Sequence, residues 1–156
     1  QKLKRKIKVT NTISKYFIKK SYEPDLQLKF INSLLKLANT SIDISDGLID
    51  DLKKMINRQS VSFHIFEKKI PVSNTLSQLI EIKKLRKIDI TSKGDDYQIL
   101  FTANPIKSRI IKRISNNTGI KITKIGKIIS GRNKSKIINI KNKQIEAKNK
   151  GYIHQF

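Results

Sequence analysis

The chain has 156 residues, enough for one ordinary domain with its own core. It sets 34 lysines and arginines against 12 acidic residues, a formal net charge of +22, and it has no cysteine. A disulfide framework and a thiolate metal site are thereby excluded, no apolar run is long enough to span a membrane, and the charge alone points to an anionic partner.

Nucleic acid is the first candidate for such a partner, because lysine and arginine neutralise phosphates. The details argue against it. Arginine occurs only at Arg5, Arg58, Arg86, Arg109, Arg113 and Arg132, and base readout favours arginine. Aromatic residues make up 6% of the chain, with no alternating basic and aromatic strand of the kind that stacks on single strands. Lysine, isoleucine and asparagine are abundant together, which reads as a composition bias over a solvated lysine surface. A basic nucleic-acid-binding module is kept as the alternative. The absence of cysteine fits a reducing compartment, and a cytoplasmic location is expected.

In chain order, Leu3–Val9 alternates basic and apolar residues, and Thr10–Lys20 holds Ile13, Phe17 and Ile18 at the spacing of an amphipathic turn or two. The break at Tyr22-Glu23-Pro24-Asp25 follows from the restriction proline places on its predecessor. Asp25 is placed to cap a helix from Leu26 to about Ala38, with Leu28, Ile31, Leu34, Leu35 and Ala38 on one side. Ser41–Ser45 alternates as a strand, with Ile42 and Ile44 on one face and Ser41, Asp43 and Ser45 on the other. Asp46-Gly47 is a turn, and Leu48–Asn57 a helix that turns Leu48, Leu52, Met55 and Ile56 inward.

Val61–Phe66 is a strand, with His64 a structural histidine, and Ser73–Lys84 a helix. Thr91–Asp96 is a polar loop that runs into a strand over Gln98–Ala103. Pro105 opens a helix to about Asn116, closed by Asn117-Thr118-Gly119. Ile120–Ile129 and Lys136–Ile140 are strands, joined as a hairpin through Gly131-Arg132-Asn133. The mixture predicts one α+β domain with a mixed β-sheet covered by helices.

Three segments carry chemistry. In Asp43-Ile44-Ser45-Asp46-Gly47 two carboxylates and a hydroxyl fall at a strand–turn–helix junction. Mg²⁺ takes such oxygen ligands together with substrate phosphates, and Gly47 is expected to clear room for a phosphate. Taken alone, the segment is better served by Asp46 as a helix N-cap, with Asp50 and Asp51 complementing the helix dipole. The second segment, Gly94-Asp95-Asp96-Tyr97-Gln98-Ile99-Leu100-Phe101, leads an acidic loop into an apolar strand. In the third, Gly151-Tyr152-Ile153-His154-Gln155-Phe156, two aromatic rings are able to stack on a flat heterocycle.

In this order the segments resemble the marker segments of the thiamine-monophosphate kinase family. Ser41-Ile42-Asp43-Ile44-Ser45-Asp46-Gly47-Leu48 with Asp51-Leu52 is similar to its central motif nearly residue for residue. Gly94–Thr102 is similar to its glycine–acidic–Asp-Tyr-Glu-Leu segment. Gly126 and Gly131 fall at its glycine-marked hairpin, Tyr22 and Pro24 match a feature ahead of the preceding helix, and Gly151-Tyr152 with His154 and Phe156 resembles its terminal Gly-Tyr-x-His-Phe. The likeness runs from about Tyr22 to Phe156. Three departures stand out: Asp95 is one methylene shorter than the usual glutamate, Gln98 replaces a second glutamate, and Gln155 is inserted before Phe156.

The resemblance implies the α+β C-terminal domain of the superfamily that includes aminoimidazole ribonucleotide synthetase and selenophosphate synthetase. The chain opens on Gln1, read as a cut edge; residues 1–20 are then a connecting region from a missing N-terminal ATP-binding domain, and residues 21–156 the C-terminal domain. It further implies ATP and thiamine monophosphate as substrates, Mg²⁺ as cofactor, a homodimer at full length, and no activity from this half alone. By resemblance Asp43 and Asp46 are metal ligands, Ser45 contacts ATP, and Asp95, Tyr152 and Phe156 contact the substrate. A superfamily enzyme with another substrate is a further alternative.

Overall fold

The computed structural model describes residues 9–23, 28–57, 59–93, 98–132 and 134–146. Residues 3–8 of the first alternating run, Asp25 with its proposed cap, the loop residues 94–97 and the tail 151–156 lie outside them.

Helix α1, Asn11–Tyr22, begins where the Thr10 hydroxyl accepts from the Ile13 N–H, an N-cap bond that fixes the first turn. A 3₁₀ turn, Leu28–Phe30, leads into α2, Ile31–Leu37, and Phe30 packs on Phe101 with ring centroids 5.6 Å apart. Strand β1, Ala38–Asp43, follows without a loop. The helix thus ends one residue before its expected limit, and the strand runs 38–43 instead of 41–45. Pairing decides this: β1 lies antiparallel to β3, Ile99–Ala103, from Ala38 opposite Ala103 to Asp43 opposite Ile99. No pattern local to residues 38–40 announces a partner sixty residues on.

Helix α3, Leu48–Met55, buries Leu48, Ile49, Leu52 and Met55. Strand β2, Val61–Phe66, buries Phe63 and Ile65 on the same core. A 3₁₀ turn, Glu67–Lys69, precedes α4, Asn74–Ile82, which the Ser73 hydroxyl caps through the Leu76 N–H at 3.2 Å. Helix α5, Lys87–Thr91, has no counterpart among the expected elements, since five residues are too few to display a helical period. Tertiary contacts hold it: Ile88 is fully buried, its N–H donates to the buried Glu67 carboxylate at 3.1 Å, and the Lys87 ammonium donates to the Ile70 carbonyl. A two-pronged Arg86–Asp89 pair closes its first turn; that hydrogen bonding, chiefly, raises the Arg86 pKa.

Pro105 opens a 3₁₀ turn, Pro105–Lys107, capped by Asn104, and α6 follows over Ser108–Thr118, ended by Gly119 at φ +70°. The remaining strands are β4, Gly126–Ser130; β5, Lys136–Ile138; and β6, Gln144–Ile145. Their order is β4-β2-β5-β6, with β2–β5 parallel and the other pairs antiparallel.

The expected β4–β5 hairpin is corrected by this order. Both strands pair with β2, one on each side, so the chain from Ser130 to Lys136 reverses direction across the end of β2 and β4 and β5 are not neighbours. Two hydroxyls pin that reversal. Ser62 Oγ donates to the Gly131 carbonyl and accepts from the Lys134 N–H, and Ser135 Oγ accepts from the Phe63 N–H. The core lies between α3 and the two sheets, where Ile44, Leu48, Leu52, Phe63, Ile65, Ile88, Leu100 and Ile137 are buried together. Each such side chain contributes about 1.5–3 kcal/mol relative to exposure. The domain is α+β with a mixed sheet, as expected.

Candidate functional site

The junction between β1 and α3 is built around Asp51. Gly47 is the cap position of α3 and has no side chain to satisfy a backbone donor. Asp51, one turn into the helix and fully buried, reaches back instead. Its Oδ2 accepts from the N–H groups of Ser45 at 2.9 Å, Asp46 at 2.9 Å and Gly47 at 3.1 Å. Three consecutive backbone donors form a nest for an anion, and here the anion is the chain's own carboxylate. The other oxygen, Oδ1, accepts from Lys54 Nζ at 3.0 Å. A buried carboxylate is costly unless it is paired and hydrogen-bonded, and these four donors meet that cost.

Lys54 also donates to Asp46 Oδ2, so one ammonium bridges the two carboxylates. The hydrogen bond to Asp46, then that to Asp51, raises the Lys54 pKa above its ordinary value of 10.5. Asp46 is accordingly not the helix cap; its carboxylate stands outward, 22% exposed. Asp43 ends β1 with its side chain exposed, and Ser45 is half-buried between them, past the strand end.

Packing by itself requires a glycine at position 47. Its φ is +119°, and a Cβ there would stand 2.5 Å from the Ser92 carbonyl carbon and 2.6 Å from its oxygen. The missing side chain admits the end of α5. The Ile44 N–H, in turn, donates to the Gln98 carbonyl at 2.9 Å. The residues on both sides of the acidic stretch 94–97 therefore rest on 44–47, and the first two sequence segments are joined at their anchored ends. Asp95 lies outside the described residues, as do Tyr152, His154 and Phe156 of the third segment.

Sequence reasoning missed the roles of Asp51 and Lys54. The signals were a cap position occupied by glycine and an Asp–Lys pair at i, i+3. His64 lies in β2, opposite Lys127 and Lys136 in the adjacent strands and in the other sheet from Asp43. Among the described residues no three carboxylates or histidines gather in one place. Asp43 and Asp46 are hard oxygen donors on a partly exposed edge, so they fit a Mg²⁺ completed by substrate phosphates. They do not fit a cation caged by this domain alone.

The α+β topology places the chain in the aminoimidazole ribonucleotide synthetase-like class of folds. Within that class it is homologous to curated thiamine-monophosphate kinases over nearly its whole length. The thiamine-monophosphate kinase of Buchnera aphidicola subsp. Acyrthosiphon pisum is 31% identical across 97% of this chain and 47% of its own length. That of Aquifex aeolicus is 35% identical across 54% of this chain and 28% of its own. The structure of AaThiL complexed with AMPPCP and TMP superposes with a TM-score of 0.70 at 26% identity, over 98% of this chain and 45% of that one. The chain thus spans less than half the length of the curated relatives it matches. No family model matches it.

Proposed function

We propose that the chain is the C-terminal domain of a thiamine-monophosphate kinase, which moves the γ-phosphoryl group of ATP onto the phosphate of thiamine monophosphate. The observation that carries this reading is the match across 98% of the chain to a structure holding AMPPCP and TMP. The intact Asp43-Ile44-Ser45-Asp46-Gly47 segment adds to it.

The bond from the γ-phosphorus to its bridging oxygen breaks, and an oxygen of the acceptor phosphate forms the new one. That acceptor is already anionic at neutral pH, so no strong general base is required, which suits a segment of carboxylates and one hydroxyl. Catalysis then rests on alignment and on neutralising crowded phosphates. Asp43 and Asp46 would hold Mg²⁺, which supplies charge neutralisation at the phosphates when bound. Ser45 would hold the nucleotide, with Asp95, Tyr152 and Phe156 on the thiamine side. Residues 1–20 would connect to the N-terminal ATP-binding domain, the full-length protein would be a homodimer, and its place would be the cytoplasm. Among the described residues no helix is long and apolar enough to cross a membrane.

The test is a product assay on the full-length protein with ATP, Mg²⁺ and thiamine monophosphate. Thiamine diphosphate is expected from the full-length protein and none from this chain alone. Absence of product from the full-length enzyme overturns the reading. Tight binding of random DNA that persists at physiological salt favours the nucleic-acid alternative.

A further inference from the structure

We propose that Asp51 is the positioning residue of this site: it holds the 45–47 backbone in the one conformation that presents Asp46 and Ser45 to a ligand. The inference rests on the kinase reading for what the ligand is, but its geometry stands apart from that reading. Three facts carry it. Asp51 is fully buried, so it has no direct access to a substrate. Its Oδ2 takes three successive N–H groups, two of them from the residues that bear the outward-facing polar side chains. Through Lys54, its Oδ1 is tied to the Asp46 carboxylate as well.

A consequence follows for recognition. In glycine-rich phosphate loops the backbone N–H groups point at the ligand. Here the three N–H groups are already occupied by Asp51, so the segment offers a ligand its side chains and not its amides. Affinity at this edge then comes through a cation on Asp46 and Asp43, and the segment binds bare phosphate poorly. Lys54 holds the Asp46 charge when no metal is present, and a metal entering on Asp46 must displace that ammonium.

The experiment compares Asp51→Ala with Asp51→Asn, whose carboxamide oxygen still accepts from the backbone but whose NH₂ group cannot pair with Lys54. In this chain, amide hydrogen exchange is followed by NMR. Asp51→Ala should deprotect Ser45, Asp46 and Gly47 by about tenfold or more, while the β2 amides of Phe63 and Ile65 stay protected. Asp51→Asn should keep most of that protection. In the full-length enzyme, Mn²⁺ binding read by electron paramagnetic resonance should weaken by about tenfold in Asp51→Ala and be largely rescued in Asp51→Asn, with KM for ATP following the same order and not merely kcat.

Unchanged exchange at residues 45–47 in Asp51→Ala overturns the proposal. So does local deprotection with Mn²⁺ affinity and KM unmoved, which would leave Asp51 a stabilising residue only. If the wild type makes no thiamine diphosphate, the kinase reading falls, while exchange and Mn²⁺ binding still decide the role of Asp51.

Discussion

Each of two connections in this domain has one buried side chain that takes up its backbone groups from beneath. Residues 45–47, between β1 and α3, are held by Asp51; Gly131 and Lys134, between β4 and β5, are held by Ser62. Both anchors are buried at 0–1% exposure. The anchors differ in charge. A hydroxyl gives one bond and takes one, and the reversal it secures needs no more than to pass the end of β2. A carboxylate takes three N–H groups and a lysine, and fixes side chains as well as backbone. Charge-assisted hydrogen bonds are roughly twice as strong as neutral ones, and the stronger anchor lies where the side chains proposed to carry the chemistry are mounted.

That contrast sets an order of effects. The largest loss is expected from Asp51→Ala, which leaves three N–H groups without their acceptor and should cost about 3–5 kcal/mol in urea unfolding of this chain. Gly47→Ala follows at about 2–4 kcal/mol, since it forces a side chain into a positive φ and against the Ser92 backbone. Ser62→Ala should cost about 1–2 kcal/mol, and it should leave phosphoryl transfer by the full-length enzyme intact. A Ser62→Ala loss equal to that of Asp51→Ala would erase the distinction between the two loops.

Asp43→Asn and Asp46→Asn invert the pattern. Each should change stability by no more than about 0.5–1 kcal/mol, because the side chains are exposed or pair at the surface. Each should nonetheless abolish thiamine diphosphate formation by the full-length enzyme.

The smallest effect is a pH dependence. Folding raises the Lys54 pKa through Asp46 and then Asp51, so the stability from this pairing is fully present below 10.5, the ordinary lysine value. It is lost as pH rises through the higher folded value. The stability gap between wild type and Lys54→Met should therefore narrow in strongly alkaline buffer, and a gap that widens there would contradict the bridge.

Much of the local structure was legible in the sequence. The periods of α3, β2 and α6 place their elements within two or three residues of the observed ends, since each follows a regular apolar pattern. Helix α5 was not legible, because its stability comes from Glu67, Ile70 and a fully buried Ile88 and not from its own pattern. The β4–β5 hairpin was misread for a related reason. Glycine and polar residues mark a change of direction without saying which strand lies on either side.

The site divides in the same way. The sequence determined which residue types stand together: Asp43, Ser45, Asp46 and Gly47 are neighbours in the chain, and covalent connection guarantees their proximity in any fold. It also determined the resemblance that gives them a meaning. Tertiary structure alone decided how each one is held. Only the pairing of β1 with β3 brings Gln98 to Ile44, and only the packing of α5 gives Gly47 its close contact with Ser92. Only the burial of α3 turns Asp51 inward, where three backbone donors and a lysine convert one more acidic residue into the anchor of the segment. A side chain's charge is written in the chain, but its partners are fixed by which surfaces leave water together.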